Sequence, residues 1–150
     1  MVVPGTGIHL NNVMGEEDLN PLGFHRHPPG RRMPSMMAPS IVMRDGEVEV
    51  VLGSAGSNRI RSALLQTIVG VVDHGSSATE AVQAPRVHFE DGVLYVEPGI
   101  EAAALQGVDM RIVRFGALNL FFGGVQAVVR EGEQMTGAGD PRRGGVAVVL

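Results

Sequence analysis

Apolar residues recur along this chain in two periods, and each predicts a different element. Ile41–Arg44 and Glu47–Leu52 are short, apolar and β-branched, and they flank Asp45-Gly46. That is the pattern of two strands joined by a tight turn, because glycine accepts the positive φ the turn demands. Arg86–Phe89 and Val93–Glu97 repeat it around Asp91-Gly92. Between the hairpins the period lengthens. Ile60, Leu64, Ile68 and Val72 form one stripe with Leu65 and Val69 beside it, which predicts a helix from about Asn58 to His74. Ser57 or Asn58 can cap its first turn, and Gly75 can end it. Ser77-Ala-Thr-Glu80 is a capping box opening a short helix that Pro85 stops. Ile100–Gln106 reads as a helix, Met110–Phe115 and Val125–Arg130 as strands, and Gly132 as a turn. Thr136 to Gly145 reads as a tight loop, and Val146–Leu150 as a closing strand.

The first quarter of the chain lacks such periods. It enters directly with Met1-Val-Val-Pro-Gly5, and Gly7–Leu10 predicts a short strand. Residues 11–39 then form a long loop region, most loop-like from Gly23 to Pro34. No repeat or linker divides the chain, so residues 1–150 are expected to form a single domain. The element order predicts an α+β fold with a mostly antiparallel sheet.

Composition narrows the function. The 150 residues hold no Cys, which removes disulfides, zinc ribbons, iron–sulfur sites and a thiol nucleophile. All 12 basic residues are Arg and the net charge is −4, so a broad nucleic-acid surface is not expected. No run approaches the ~20 apolar residues of a membrane span, and no signal-peptide pattern is present.

Among candidate sites, Gly53–Ser57 has the most chemical content. A strand leads into a Gly-rich turn that opens a helix, an arrangement suited to a phosphate, a carboxylate or an oxyanion. The same spacing also describes an ordinary strand–helix turn, which is commoner. It matches neither a Walker motif nor a Gly-x-Ser-x-Gly elbow. His25 and His27 could offer two imidazoles to a metal, but the reading as a solvated Pro-rich loop fits better. Met33, Met36, Met37 and Met43 read as gap-filling contacts, and Glu16-Glu-Asp18 as a solvated cluster. Asp140-Pro-Arg-Arg143 reads as a structural ion pair or as a pocket wall. No local sequence nominates a Ser-His-Asp triad.

Taken together, the segments resemble the small subunit of the γ-glutamyltranspeptidase family. The matching stretches are Gly5–Asn12 with Met14, Pro34–Val42, Gly53–Ile60, Asp73–Gly75, Glu80–Arg86, Leu94–Gly99, Gly124–Ala127 and Gly137–Gly145. They run in the family's order over nearly the whole chain. The resemblance implies an N-terminal-nucleophile hydrolase fold, an αββα sandwich with covering helices. It implies a precursor that cleaves itself into large and small subunits. The new N-terminal Thr then attacks a γ-glutamyl amide and passes the acyl group to water or an amino acid. No metal or organic cofactor is implied. In the family that Thr precedes the Gly-Thr-Gly-Ile segment by some tens of residues, so Thr6 does not match it. The expected partners are therefore the large subunit and the preceding part of the small subunit. This polypeptide alone is expected to be inactive.

The resemblance assigns the oxyanion-hole backbone N–H groups to Gly56 and Ser57, and the substrate side to Asn12, Glu16 and Ser35. Three positions depart from the family. Val13 stands where an acid or amide is usual, and Gly15 and Glu16 fall on an acidic pair, which leaves Glu16 to hold the substrate's α-amine. The Ser-Ser-Met carboxylate clamp reads Pro34-Ser35-Met36, with one hydroxyl lost. Each lost charged hydrogen bond costs about 1.5–3 kcal/mol of binding. Competing expectations are an acylase of different specificity and a non-catalytic stand-alone domain. A truncated chain is a third, pairing through exposed strands as a dimer. The compartment is not legible, since family members are exported or cytoplasmic.

Overall fold

The computed structural model describes residues 1–148. The chain forms two compact units, Met1–Met36 and the residues from Met37 onward. In the first unit regular structure is short. Where a strand was expected over Gly7–Leu10, Val2 and His9 make a single antiparallel bridge. Thr6 explains why. Its hydroxyl donates to the Val3 carbonyl at 2.9 Å and accepts from the Ile8 N–H at 3.1 Å, so the chain reverses before a strand can extend. Two 3-10 turns follow, Val13–Gly15 and Glu17–Leu19.

The second unit is built on two sheets. Strands β1 (Ser40–Arg44), β2 (Glu47–Ala55), β6 (Gly124–Glu131) and β7 (Gln134–Gly139) form the larger, in the order β1-β2-β6-β7, antiparallel throughout. The smaller contains β3 (Val87–Glu90), β4 (Val93–Val96) and β5 (Arg111–Arg114). Both Asp-Gly hairpins form, with Asp45 and Asp91 at φ of 52° and 50° and their glycines also positive. The β4–β5 pair is parallel, because residues 97–110 cross over between the two strands instead of turning back.

Helix α1 (Ile60–Val72) and helix α2 (Ala78–Gln83) cover one face of the large sheet. Val50, Leu52, Val125, Ala127, Val129 and Ala138 point into that face and are buried. α1 meets them with Ile60, Ala63, Leu64, Thr67 and Val71. The buried stripe thus runs through the small side chains at 63 and 67, and Leu65 is 63% exposed. Gly70 lets the two helices approach: a Cβ there would lie 3.2 Å from that of Ala81. The opposite face carries Ile41, Met43, Val51, Val128 and Met135, all exposed. Alternation along each strand dictates this split.

Several expected elements differ in kind. Ile100–Gln106 holds only a 3-10 turn, Ala102–Leu105. The expected loop at Thr136–Gly145 begins as strand β7 and ends in the 3-10 turn Pro141–Arg143. Val146–Val148 are not strand, and the rest of that expected element lies outside the described residues. The Ser77–Glu80 capping box is present on both sides.

Candidate active site

The expected Gly53–Ser57 turn is shorter than its sequence suggested: Gly53, Ser54 and Ala55 continue β2, paired with Gln126, Val125 and Gly124 of β6, and the chain turns only at Gly56–Ser57. Gly56 has φ 131° and ψ 25°, and Ser57 follows at φ 52°. Serine therefore adopts the left-handed backbone that the position demands. A side chain on Gly56 would have its Cβ 2.7 Å from the Gly123 Cα, and Gly123, at φ 80°, would bring a Cβ to 3.0 Å from the Ala55 carbonyl oxygen. Two glycines thus allow two backbones to touch at this point. The Gly124 N–H donates to Ser54 Oγ at 3.3 Å and fastens the contact.

Beyond Ser57 the chain makes a 3-10 turn, Ser57–Arg59, before α1. No side-chain cap hydrogen bond closes the N-terminus of α1. The Asn58 amide donates instead to Glu90 Oε1 at 2.8 Å. Arg59 places Nη1 3.6 Å from Glu90 Oε2, donates from Nε to the Phe121 carbonyl at 3.3 Å, and lies 4.6 Å over the Phe121 ring. Helix and turn are therefore anchored by β3 on one side and by the segment before Gly123 on the other.

Next to the turn lies a cavity of about 270 Å³ lined by Gly53, Ser54, Ala55, Gly124, Gln126 and Arg143. The Arg143 stem rests on Gly124, where a Cβ would stand 2.5 Å from Arg143 Cδ. A larger space of about 640 Å³ follows the exposed sheet face past Val51, Val128 and Met135 to Val146–Val148. It is apolar.

Behind the turn is a buried ionic network. Arg86 Nη2 lies 2.8 Å from Asp140 Oδ2, and Arg142 Nη1 3.2 Å from Asp140 Oδ1. Asp140 also accepts from the N–H groups of Val125 (2.8 Å) and Arg142 (2.9 Å). Burial alone would raise the Asp140 carboxyl, but these N–H groups and the two guanidiniums outweigh it and hold it below the usual range. The Asp140–Arg143 segment thus takes both roles its spacing allowed: Asp140 and Arg142 form buried ion pairs, and Arg143 lines the cavity beside the turn.

Asn12, Glu16 and Ser35 belong to the first unit, and Gly56 and Ser57 to the second. The Asn12 carbonyl accepts from the Gly15 N–H at 2.9 Å, and the Glu16 carbonyl accepts from the Asn20 amide at 2.7 Å. Val13 and Ser35 are exposed. His27 Nε2 donates to the Leu19 carbonyl at 3.0 Å. Among the described residues no three metal-ligating side chains converge. No helix there is long and apolar enough to cross a membrane. Sequence reasoning missed Glu90 and His88. Their one signal was a charged and a polar residue two apart in a strand, hence on one face.

The chain was compared with known proteins. The family model described as Gamma-glutamyltranspeptidase matches residues 1–150. Acylase ACY 1 proenzyme of Pseudomonas sp. (strain SE83) is 36% identical over 149 residues, which is 99% of this chain and 27% of that protein. Glutathione hydrolase proenzyme 1 of Schizosaccharomyces pombe is 32% identical over 160 residues, 98% of this chain and 25% of that protein. Among solved structures, the gamma-glutamyltranspeptidase of Pseudomonas nitroreducens complexed with L-DON superimposes with a TM-score of 0.76 at 31% identity. It covers 100% of this chain and 86% of that one. The chain spans about a quarter of the length of the curated relatives it matches.

Proposed function

This chain belongs to the gamma-glutamyltranspeptidase family, and we propose that the protein is an acyltransferase or amidohydrolase working through a threonine acyl-enzyme. In this reading a precursor cleaves itself, as the name proenzyme given to the relatives suggests. The 150 residues are the later part of the small subunit. The exposed apolar face of β2 and β6 packs on a second sheet, completing an αββα sandwich. The large subunit and an upstream threonine come from the rest of the protein.

The observation that carries the reading is the turn at Gly56–Ser57. It accepts a backbone at positive φ twice in succession at the end of a strand. Such a turn can aim main-chain N–H groups at one point, where the negative oxygen of a tetrahedral intermediate develops. By the family resemblance, Glu16 would hold the α-amine of a γ-glutamyl group and Ser35 its carboxylate, with Asn12 also assigned to substrate binding.

A second reading, an acylase of different specificity, is favoured by Val13 and Pro34. Val13 offers no charge to an α-amine, and Pro34 no hydroxyl to a carboxylate. A 36% identical relative is named an acylase.

The test is expression of the open reading frame together with the sequence upstream of this segment. Gel electrophoresis reads autocleavage, and release of nitroaniline reads turnover of γ-glutamyl, glutaryl and butyryl nitroanilides. Cleavage with preference for the γ-glutamyl substrate supports the first reading, and preference for either amine-free acyl group supports the second. A protein that stays uncleaved and spares all three sinks both.

A further inference from the structure

We propose that Glu90 is the positioning residue of the Gly56–Ser57 turn. The proposal rests on reading that turn as the oxyanion site. Glu90 itself stands back from the turn and touches no group assigned to the reaction.

The geometry builds from β3. Glu90 ends that strand, paired with Val93 across the Asp91-Gly92 turn, so the hairpin fixes its Cα. The two side chains that follow Ser57 both reach it: Asn58 Nδ2 at 2.8 Å from Oε1 and Arg59 Nη1 at 3.6 Å from Oε2. Two residues earlier on the same face, His88 is 1% exposed. Its Nε2 lies 3.5 Å from Glu90 Oε2 and its Nδ1 2.8 Å from Ser62 Oγ. A proton on Nε2 faces the carboxylate, which leaves Nδ1 to accept from the Ser62 hydroxyl. Asn58 lies in the 3-10 turn and Ser62 in the first turn of α1, so β3 grips the chain on both sides of the helix start.

Ser57 gives this grip its purpose. A non-glycine residue at φ 52° is costly and persists only where its surroundings hold it. On the far side, Gly123 packs so close that a Cβ there would stand 3.0 Å from the Ala55 carbonyl oxygen, and it sits two residues after Phe121, whose carbonyl Arg59 also binds. Glu90 is where the near-side contacts converge. Loosening it would let Asn58 and Arg59 drift and would turn the Ser57 N–H off its target. Preorganised donors lose effect steeply when misaligned.

The experiment uses the full-length protein with the nitroanilide it turns over best, comparing Glu90→Ala, Glu90→Gln and Gly56→Ala. Glu90→Ala is expected to lower kcat about 10- to 100-fold with KM within about threefold. Glu90→Gln keeps a carbonyl oxygen for Asn58 and should recover kcat to within about fivefold of the parent. Gly56→Ala, which disturbs the turn itself, should cost about 100-fold or more. If Gly56→Ala is costly and Glu90→Ala is not, Glu90 does not position the turn and the oxyanion reading survives. Normal kcat in Gly56→Ala removes both. Loss in Glu90→Ala that Glu90→Gln leaves unrescued, or that falls on KM, assigns Glu90 a merely structural role and overturns the proposal. Should Glu90→Ala fail to fold, Asn58→Leu breaks the same tether from the other end. A matching loss of kcat then supports the proposal, and an unchanged kcat overturns it.

Discussion

Arg142 and Glu97 meet edge to edge, with Nε 2.8 Å from Oε1 and Nη2 2.5 Å from Oε2, both side chains completely shielded from solvent. The paired geometry is the strongest a guanidinium and a carboxylate can adopt. Arg142 spends its remaining donors on the carbonyls of Val82 (3.0 Å) and Ala84 (2.8 Å) and on Asp140 Oδ1 (3.2 Å). Glu97 also accepts from the Arg86 N–H at 2.9 Å. One ion pair therefore ties the end of α2, the start of β3, the end of β4 and the 3-10 turn after β7. Removing one partner leaves the other charged and buried. Glu97→Ala should cost about 3–5 kcal/mol of stability, read from urea unfolding of the purified protein. A loss under about 1 kcal/mol would mean that water reaches Arg142 and that the network is not a structural tie.

Two groups give stability a definite dependence on pH. Burial pushes His88 below its ordinary value, although Glu90 pulls the other way. The unfolded chain then takes up this proton more readily. The stabilisation is complete above the unfolded value of about 6.5 and is lost as pH falls toward the folded one. Asp140 is likewise held low, so its contribution is present above about 3.9 and fades as pH falls through its folded value. Calorimetry should show the melting temperature falling in two stages on acidification. His88→Asn should flatten the first stage and leave the second. A variant that follows the parent curve at every pH would remove His88 from the account.

The cap at Ser77 is a smaller and cleaner test. Its hydroxyl accepts from the Glu80 N–H at 3.3 Å, while Glu80 Oε2 accepts from the Ser77 N–H at 2.9 Å and from the hydroxyl at 2.7 Å. These bonds hold the Glu80 carboxyl below its usual range. Ser77→Ala should lower the melting temperature by about 2–4 °C. Ser77→Asp, which keeps the acceptor, should lose less than half of that.

Ser77–Glu80 and the two Asp-Gly turns were legible because each is a local contract between residues a few positions apart. The turn after β2 was legible only in part, since Gly53–Ala55 pair with β6 as strand and the turn is left to Gly56–Ser57; the family resemblance supplied its proposed role. Strand β7 was not. Its Met135-Thr-Gly-Ala-Gly139 run has the composition of a loop, and only pairing with β6 makes it a strand. The parallel contact of β4 with β5 is also non-local. Glu97 and Glu90 could be read as surface charges in short strands. What buries one and half-buries the other is an arginine 45 positions away and a helix start 32 positions away. The helix stripe was displaced for a similar reason: Ala63 and Thr67 share a face with Gly70, where α2 packs close against α1, so small side chains fill the buried side.

Gly139 offers a test of how the end of the described chain is held. It lies on the outer face of β7, paired with Gln126, and the backbone of Gly145 and Val146 passes directly over it. A Cβ on Gly139 would stand 2.2 Å from the Val146 nitrogen and 2.3 Å from the Gly145 carbonyl carbon. No side chain fits there without moving backbone. The crossing segment is itself fastened, since the Gly145 N–H donates to the Asp140 carbonyl at 2.8 Å. Asp140 in turn is locked into the buried ionic network. Gly139→Ala must therefore either lift residues 145–148 off the sheet or pull on Asp140. Lifting is the cheaper route, because Val146 and Val148 are about 80% exposed already. Hydrogen exchange should then quicken at Gly145–Val148 while the amide of Val125, which donates to Asp140, keeps its protection. Simultaneous loss at Val125 would show that the strain travels into the network. Unchanged exchange at both would mean that the chain does not cross Gly139 in solution.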